Sequence, residues 1–200
     1  MSINISARRR LSPDESRAAA VAAARNLLRE EGAAAVTLKA VAGRVGRTHA
    51  NVLHHFGNVA GLHEAIAEDI ARTVSASITE AISKRRRGEA SERDVVDAMF
   101  DAFHAEQVGE LIGWVALTRQ RELLAPVTNT IKSILADFRN AGDRRPMDRV
   151  ILGLVLLAIG DTLVGREVAA ATGDPPDTVR EIAVAQIQAL IGDTKQEARP

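Results

Sequence analysis

Regular helix punctuation constrains this chain more than any other feature of its sequence. Apolar residues recur at three- and four-residue intervals along most of its length, and no β-branched alternation of period two is sustained. Capping residues and breakers fall between the periodic segments. Ser12 with Pro13 and Glu15 spells a capping box that starts a helix running to about Glu31, with Gly32 as its stop. Thr37 is placed to cap Leu38–Val45, Gly46 ends that segment, and Thr48 is placed to cap His49–Phe56. Two short helices joined by a glycine turn are the pattern of a helix-turn-helix. Asn58 caps a long fourth helix to about Ile82, followed by Lys84-Arg85-Arg86-Arg87, which reads as a solvated helix end. Ser91 with Asp94 starts a fifth helix to about Gln107, a sixth covers roughly Glu110 to Leu124, and Pro126 opens a seventh to Asn140. Pro146 opens an eighth to about Ala171, and Asp174 caps a ninth to Gly192. The expectation is an all-α chain of about nine helices: a three-helix unit at residues 12–60, then a larger helical unit at residues 61–192.

Composition narrows the function classes. With 46% apolar residues in 200, the chain has material for a substantial core. It has no cysteine, so disulfide frameworks, thiolate metal sites and cysteine nucleophiles are excluded. The basic residues near the N-terminus are followed by no apolar stretch of signal-peptide type. The longest apolar run, Val150 to Gly160, has 11 residues where a bilayer span needs about 20. A cytoplasmic location with no membrane partner is expected. Net charge is zero, but residues 1–60 hold nine Lys/Arg against four Asp/Glu, a local +5, and the remaining residues hold 17 against 22, a local −5. A basic head on an acidic body suits a protein whose head alone meets a polyanion.

Within that head, "GRVGRTHANVLHHFGNVAGL" (residues 43–62) places three of the five histidines within seven positions, beside two arginines and no acid. A helix entering the major groove of duplex DNA needs small or polar side chains outward at its N-terminal end and apolar anchors behind. Arg47, Thr48, His49, Asn51 and His54 or His55 supply the outward set, Ala50 permits close approach, and Val52 and Phe56 supply the anchors. Asn pairs with adenine and Arg with guanine, while Lys39, Arg47 and the helix start suit phosphate. A metal site built from His49, His54, His55 and His63 is a weaker reading, because His49 and His54 lie on different faces of a helix and no carboxylate lies between them. No Ser/His/Asp grouping, glycine-rich phosphate loop or carboxylate pair accompanies the histidines, so no catalytic residue, metal or cofactor is assigned.

The same stretch, from "TLKAVAGRVGRTHANVLHHFGNVAGL", resembles the DNA-binding segment of the TetR/AcrR repressors. Thr37, Val41, Ala42, Gly46, Thr48, Val52, His55, Phe56, Asn58 and Leu62 match the family's pattern, and the likeness extends over about residues 14 to 65. The resemblance implies a homodimer that places one recognition helix per head in the major groove of an operator. It also implies a larger C-terminal helical domain that carries a small-molecule effector pocket and the dimer interface. By the same resemblance Thr37, Thr48 and His55 contact phosphates, while His49 and its neighbours face bases. Three positions depart from the pattern: Leu53 stands where a tyrosine is usual, Val59 where a lysine is usual, and Ala50-Asn51 where Gly-Thr is usual. Arg47 and the arm Ala7–Arg10 are the candidates to replace lost phosphate contacts.

Beyond residue 65 no motif stands out. Gly153 and Gly160 lie seven apart on nearly one face of the eighth helix, with Leu156, Leu157 and Val164 beside them. Val179, Ile182, Ala183, Gln186 and Leu190 form a stripe on the ninth. Small residues on a helix face let another helix come close, and with the resemblance these two sets read as a four-helix dimer seam. Met99, Phe100, Phe103, His104, Trp114, Leu117 and Phe138 gather most of the large adaptable side chains and are the candidate effector pocket. The reading is a ligand-responsive, dimeric DNA-binding repressor and not an enzyme. Its rival is a helical small-molecule-binding protein or enzyme that binds no DNA.

Overall fold

The computed structural model describes residues 12–197, so the arm Ala7–Arg10 lies outside the described residues. Every regular element among them is helical: α1 (Pro13–Glu31), α2 (Leu38–Val45), α3 (His49–Phe56), α4 (Val59–Arg86), α5 (Glu92–Ala105), α6 (Val108–Thr118), α7 (Ala125–Asn140), α8 (Met147–Gly160), α9 (Arg166–Thr172) and α10 (Thr178–Glu197). A π-helical turn, Asp161–Gly165, joins α8 to α9 with helical dihedrals at both junctions, so the three form one rod and the chain has nine rods in all among the described residues.

The caps explain the N-terminal boundaries. Ser12 Oγ accepts the Glu15 N–H at 3.1 Å while Glu15 accepts the Ser12 N–H at 2.7 Å. Thr37, Thr48 and Asn58 each accept the N–H three residues on, at 3.1, 3.2 and 2.9 Å. Each bond satisfies an amide that the first helical turn would otherwise leave unpaired. Gly46 closes α2 in the left-handed region at φ +64°, where a side chain would be strained.

Four features differ from the sequence expectation, one being that the last helix runs on to Glu197 and not to about Gly192. The sixth helix stops at Thr118 because Arg119 turns left-handed (φ +59°), and a 3₁₀ turn, Arg121–Leu124, then leads directly into α7. The eighth contains the π turn, where the Thr162 hydroxyl donates to the Ile159 carbonyl at 2.8 Å. This widened turn meets α6 at Gly109, where a Cβ would overlap the Thr162 side chain. The last helix starts at Thr178, after the Pro175-Pro176 turn, and not at Asp174, whose N–H is held by the Ala169 carbonyl at 2.9 Å.

At a rise of about 1.5 Å per residue, the 28-residue α4 is roughly 42 Å long. It serves two packing units: α1 and α3 pack against it toward its N-terminal end, with α2 seated on those two, and α5 and α7 pack beside it further along. The core is continuous across the junction, from Val41, Val52 and Leu28 through Leu62 and Ile66 to Phe100 and Val115.

Two polar contacts cross the same junction. Arg25 of α1 reaches Asp69 of α4 at 2.5 Å and also pairs with Glu106, just after α5. All three side chains are largely buried. His63 of α4 is buried, donates Nε2–H to the Val36 carbonyl at 2.9 Å, and sets its ring edge-to-face with Trp114 of α6, centroids 4.5 Å apart. Its Nδ1 is sealed without a partner.

Burial pushes the His63 pKa below that of a free histidine, although the Val36 contact pulls the other way. The unfolded chain therefore takes up a proton at a higher pH than the folded one. Stability should be full above the ordinary histidine pKa of about 6.5 and should fall as pH drops below it. Thermal melting of wild type and His63→Gln at about pH 7.5 and pH 5.5 checks this. The wild type should lose more on acidification, and equal losses would assign the pH dependence to other groups.

Candidate nucleic-acid interface and the body cavity

Apolar residues fix the orientation of α3 from beneath. Val52 and Phe56, one turn apart, are buried against the core that Val41 and Leu38 supply from α2. With that face committed, the first turn of α3 must present Thr48, His49 and Ala50 outward, and all three are exposed. His54 is exposed on the far turn, and His55 is half-buried with its ring against that of Phe56, centroids 6.3 Å apart. Asn51 is half-buried, its N–H is used by the Thr48 cap, and its Oδ1 is sealed without a partner. An unsatisfied buried oxygen costs roughly 1–3 kcal/mol, so swinging the amide outward onto a base edge would relieve a real penalty.

The basic residues of the head divide into two groups. Arg25 is consumed by the junction, Arg44 by Glu30 (2.6 Å) and Glu31 (2.7 Å), and Arg17 lies over the Phe56 ring at 5.4 Å from its centroid. Lys39 and Arg47 are exposed and have no carboxylate partner among the described residues. Arg47 stands at the α2–α3 turn, and Lys39 with the exposed Thr37 at the start of α2, and neither charge is spent on an ion pair among the described residues. Among the described residues no cluster of three His, Asp or Glu is arranged to hold a metal, and His63 points into the junction, away from the other histidines.

In the body, a cavity of about 260 Å³ runs beside α4 and is walled by α5, α7, α8 and α10. Met99, Phe103 and Phe138 of the expected pocket set line it. The other four do not. Phe100 is fully buried with the Arg180 guanidinium over its ring, and Trp114 is taken by His63. His104 is exposed and bonds Asp161 at 2.8 Å, and Leu117 is 86% exposed at the end of α6. Sequence reasoning missed the α4 wall, where Ile70, Val74, Ile78 and Ile82 face the cavity, and the polar groups at its end. The isoleucine spacing was visible, but a core stripe and a cavity wall share that spacing.

The expected dimer residues also separate. A Cβ on Gly153 would overlap Gln186 of the same chain, and Ala183 is fully buried, so these serve the α8–α10 contact within one protomer. Val179 and Leu190 are partly buried against the same core, as is Leu157. Leu156, Val164 and Ile182 are open, and a Cβ on Gly160 would meet nothing within 4 Å. Leu152, Leu163 and Val168 extend the open strip along the α8–α9 rod.

An exposed, capped helix over a buried apolar anchor, with unpaired Arg47 at the turn before it and Lys39 at the start of α2, has the architecture of a helix-turn-helix DNA-binding unit. The family model for bacterial regulatory proteins of the tetR family matches residues 20–66. Two solved structures share the fold over nearly their whole length. One is a protein of unknown function from Rhodococcus sp. RHA1, 20% identical, with TM-score 0.63, covering 93% of this chain and 99% of that one. The other is a TetR-family transcriptional regulator from Streptomyces coelicolor, 20% identical, with TM-score 0.55, covering 91% and 98%. No curated protein matches the chain in sequence. Residues 20–66 thus match the DNA-binding segment of the tetR family, and the chain as a whole shares the fold of these two solved structures. Among the described residues, no helix is long and apolar enough to cross a membrane.

If Lys39 and Arg47 carry phosphate contacts, Lys39→Ala and Arg47→Ala should each weaken binding to every duplex and flatten the log–log dependence of affinity on salt by about 0.9 for each head engaged. Arg44→Ala, already paired within the protein, should leave that slope unchanged. Titrations at several salt concentrations check the difference, and equal slopes in all three variants would contradict the assignment.

Proposed function

We propose that the protein is a repressor that binds a palindromic operator as a homodimer and is released by a small molecule entering the body cavity. Residues 12–60 act as the DNA-contacting head and residues 61–192 as the sensing and dimerising body. The observation that carries the reading is the outward face of α3. Thr48, His49 and Ala50 stand exposed over buried anchors, with Asn51 half-buried beside them, in an arrangement that suits a major-groove helix. Thr37, Lys39, Arg47 and His55 border that face and supply backbone contacts, while His54 extends it.

The dimer rests on a separate observation. Leu152 (61% exposed), Leu156 (60%), Val164 and Val168 form an open apolar strip along the α8–α9 rod, and Ile182 of α10 is open as well. Contiguous apolar surface of this kind marks an interaction site. A second copy packing the same strip against itself gives a closed, two-fold pair of rods and covers both. Gly160 lies in the strip and lets the partner's rod approach closely. The pair then offers two α3 helices to half-sites about 34–36 Å apart. No enzymatic step enters this function.

Gly160→Leu is the sharp test. Inside the protomer a Cβ there meets nothing within 4 Å, and replacing a mid-helix glycine should favour the helix by a few tenths of a kcal/mol or more. The variant should therefore remain folded, sediment as a monomer at concentrations where wild type is a dimer, and lose operator affinity although no DNA-facing residue has changed. A variant that stays dimeric would move the interface elsewhere. A monomer that binds the palindrome as tightly as wild type would refute the two-headed mechanism.

A further inference from the structure

The cavity has two chemically distinct ends. Its lining extends along α4 from Ile70 to Arg86, sixteen residues or about 24 Å of helix. With only about 260 Å³ in that length, it is narrow. At the end nearer the head and through the middle the lining is apolar except for Thr130. At the far end, where α4 and α7 finish and α5 and α8 begin, it holds Arg85, Arg86, Arg145 and Glu92. Glu92 is taken by Arg85, and Arg145 pairs with Asp143 at 2.5 Å. Arg86 is exposed, lies over the Phe138 ring at 5.0 Å from its centroid, and has no carboxylate partner among the described residues. Three arginines against two carboxylates, Glu92 and Asp143, leave the rim with one net positive charge, and the Arg86 guanidinium makes no ion pair among the described residues.

We propose that this cavity takes an unbranched long-chain carboxylate, its head group held by Arg86 at the rim and its alkyl chain running along α4 toward Ile70 and Phe103. The proposal rests on the reading that the body senses a ligand, and it names the ligand's class. A guanidinium offers a carboxylate two parallel N–H donors, and the Phe138 face beneath Arg86 holds that fork in place. A cationic ligand would meet net repulsion at the rim.

Chain length also becomes a signal. The inner end of the cavity is lined by Ile70 and Val108, which lie one and two residues from Asp69 and Glu106, the two partners of Arg25. A chain that reaches Ile70 and Val108 presses on the segments that hold the head. A shorter chain fills only the rim and the middle. Binding should thus strengthen gradually with each methylene, while release of DNA should set in abruptly at the length that reaches the inner end.

The test uses the full-length protein and the palindrome it selects from a randomised duplex pool. A fluorescent polyene fatty acid is displaced with saturated carboxylates, alcohols and amines of equal chain lengths, and DNA release is followed in parallel. In wild type, carboxylates should outcompete the matching alcohols by about tenfold or more, the worth of a charge-assisted hydrogen bond. Arg86→Ala should erase most of that advantage, and Arg86→Glu should turn the preference toward the amine. Since Arg86 is exposed, both variants should melt like wild type, and melting curves check this. Equal displacement by acids and alcohols in wild type, or an unchanged preference in Arg86→Ala, overturns the carboxylate. If alcohols and acids then release the palindrome alike, the sensing reading survives and only the ligand class falls. If compounds that displace the probe at every chain length leave DNA binding untouched, the sensing reading falls as well, and the proposal with it.

Discussion

The Arg25 guanidinium, held between Asp69 and Glu106, is the contact on which the rest of this architecture depends. It ties α1 of the DNA-binding head to α4 and to the end of α5, and all three side chains are largely withdrawn from water. Removing one partner of such a cluster leaves uncompensated charge in a poorly solvated place, which makes the geometry stiff against small displacements. His63 reinforces the tether from the other side by bonding the Val36 carbonyl at the α1–α2 connection and packing on Trp114. The head is thus held to α4 at one point by charge and at another by a hydrogen bond and an aromatic contact.

Because α4 is one uninterrupted helix, what happens along its second half bears directly on the junction. The cavity runs beside that half, and Ile70 is both its inner wall and the neighbour of Asp69. Packed helices respond to an inserted group by shifting as units, since their interiors are too dense to absorb it locally. Under the proposed function, no separate relay between cavity and head is needed. It requires only that the same helix line the cavity and hold the head.

The head was legible in the sequence because its boundaries are set by local chemistry. Ser12 with Glu15, Thr37, Thr48 and Asn58 bond amides three residues away, and Gly46 takes a backbone conformation that disfavours side chains, so the sequence pattern alone locates four helix starts and a turn. The body was legible as helices but not as a site. The π turn at Asp161–Gly165 depends on Thr162 meeting Gly109 of another helix, a tertiary fact with no local signature. Arg86 reads in sequence as one cation in a solvated run, and only the approach of Phe138 and the α8 start places it at a cavity mouth. Gly153 and Gly160 look alike on a helical wheel, yet one is filled by Gln186 of its own chain and the other is open.

The central claim is that a junction which touches no DNA determines how well the recognition helix meets it. Its most direct test is the affinity of Arg25→Met for the selected palindrome, measured across a range of salt concentrations. Methionine keeps much of the packing and removes the charge. The account predicts weaker binding at every salt concentration with the same log–log slope as wild type, because the number of phosphate contacts is unchanged while the head is less well held. A shallower slope would mean that Arg25 itself neutralises phosphate, and wild-type affinity would mean that the junction does not aim the head. Either result would contradict the account.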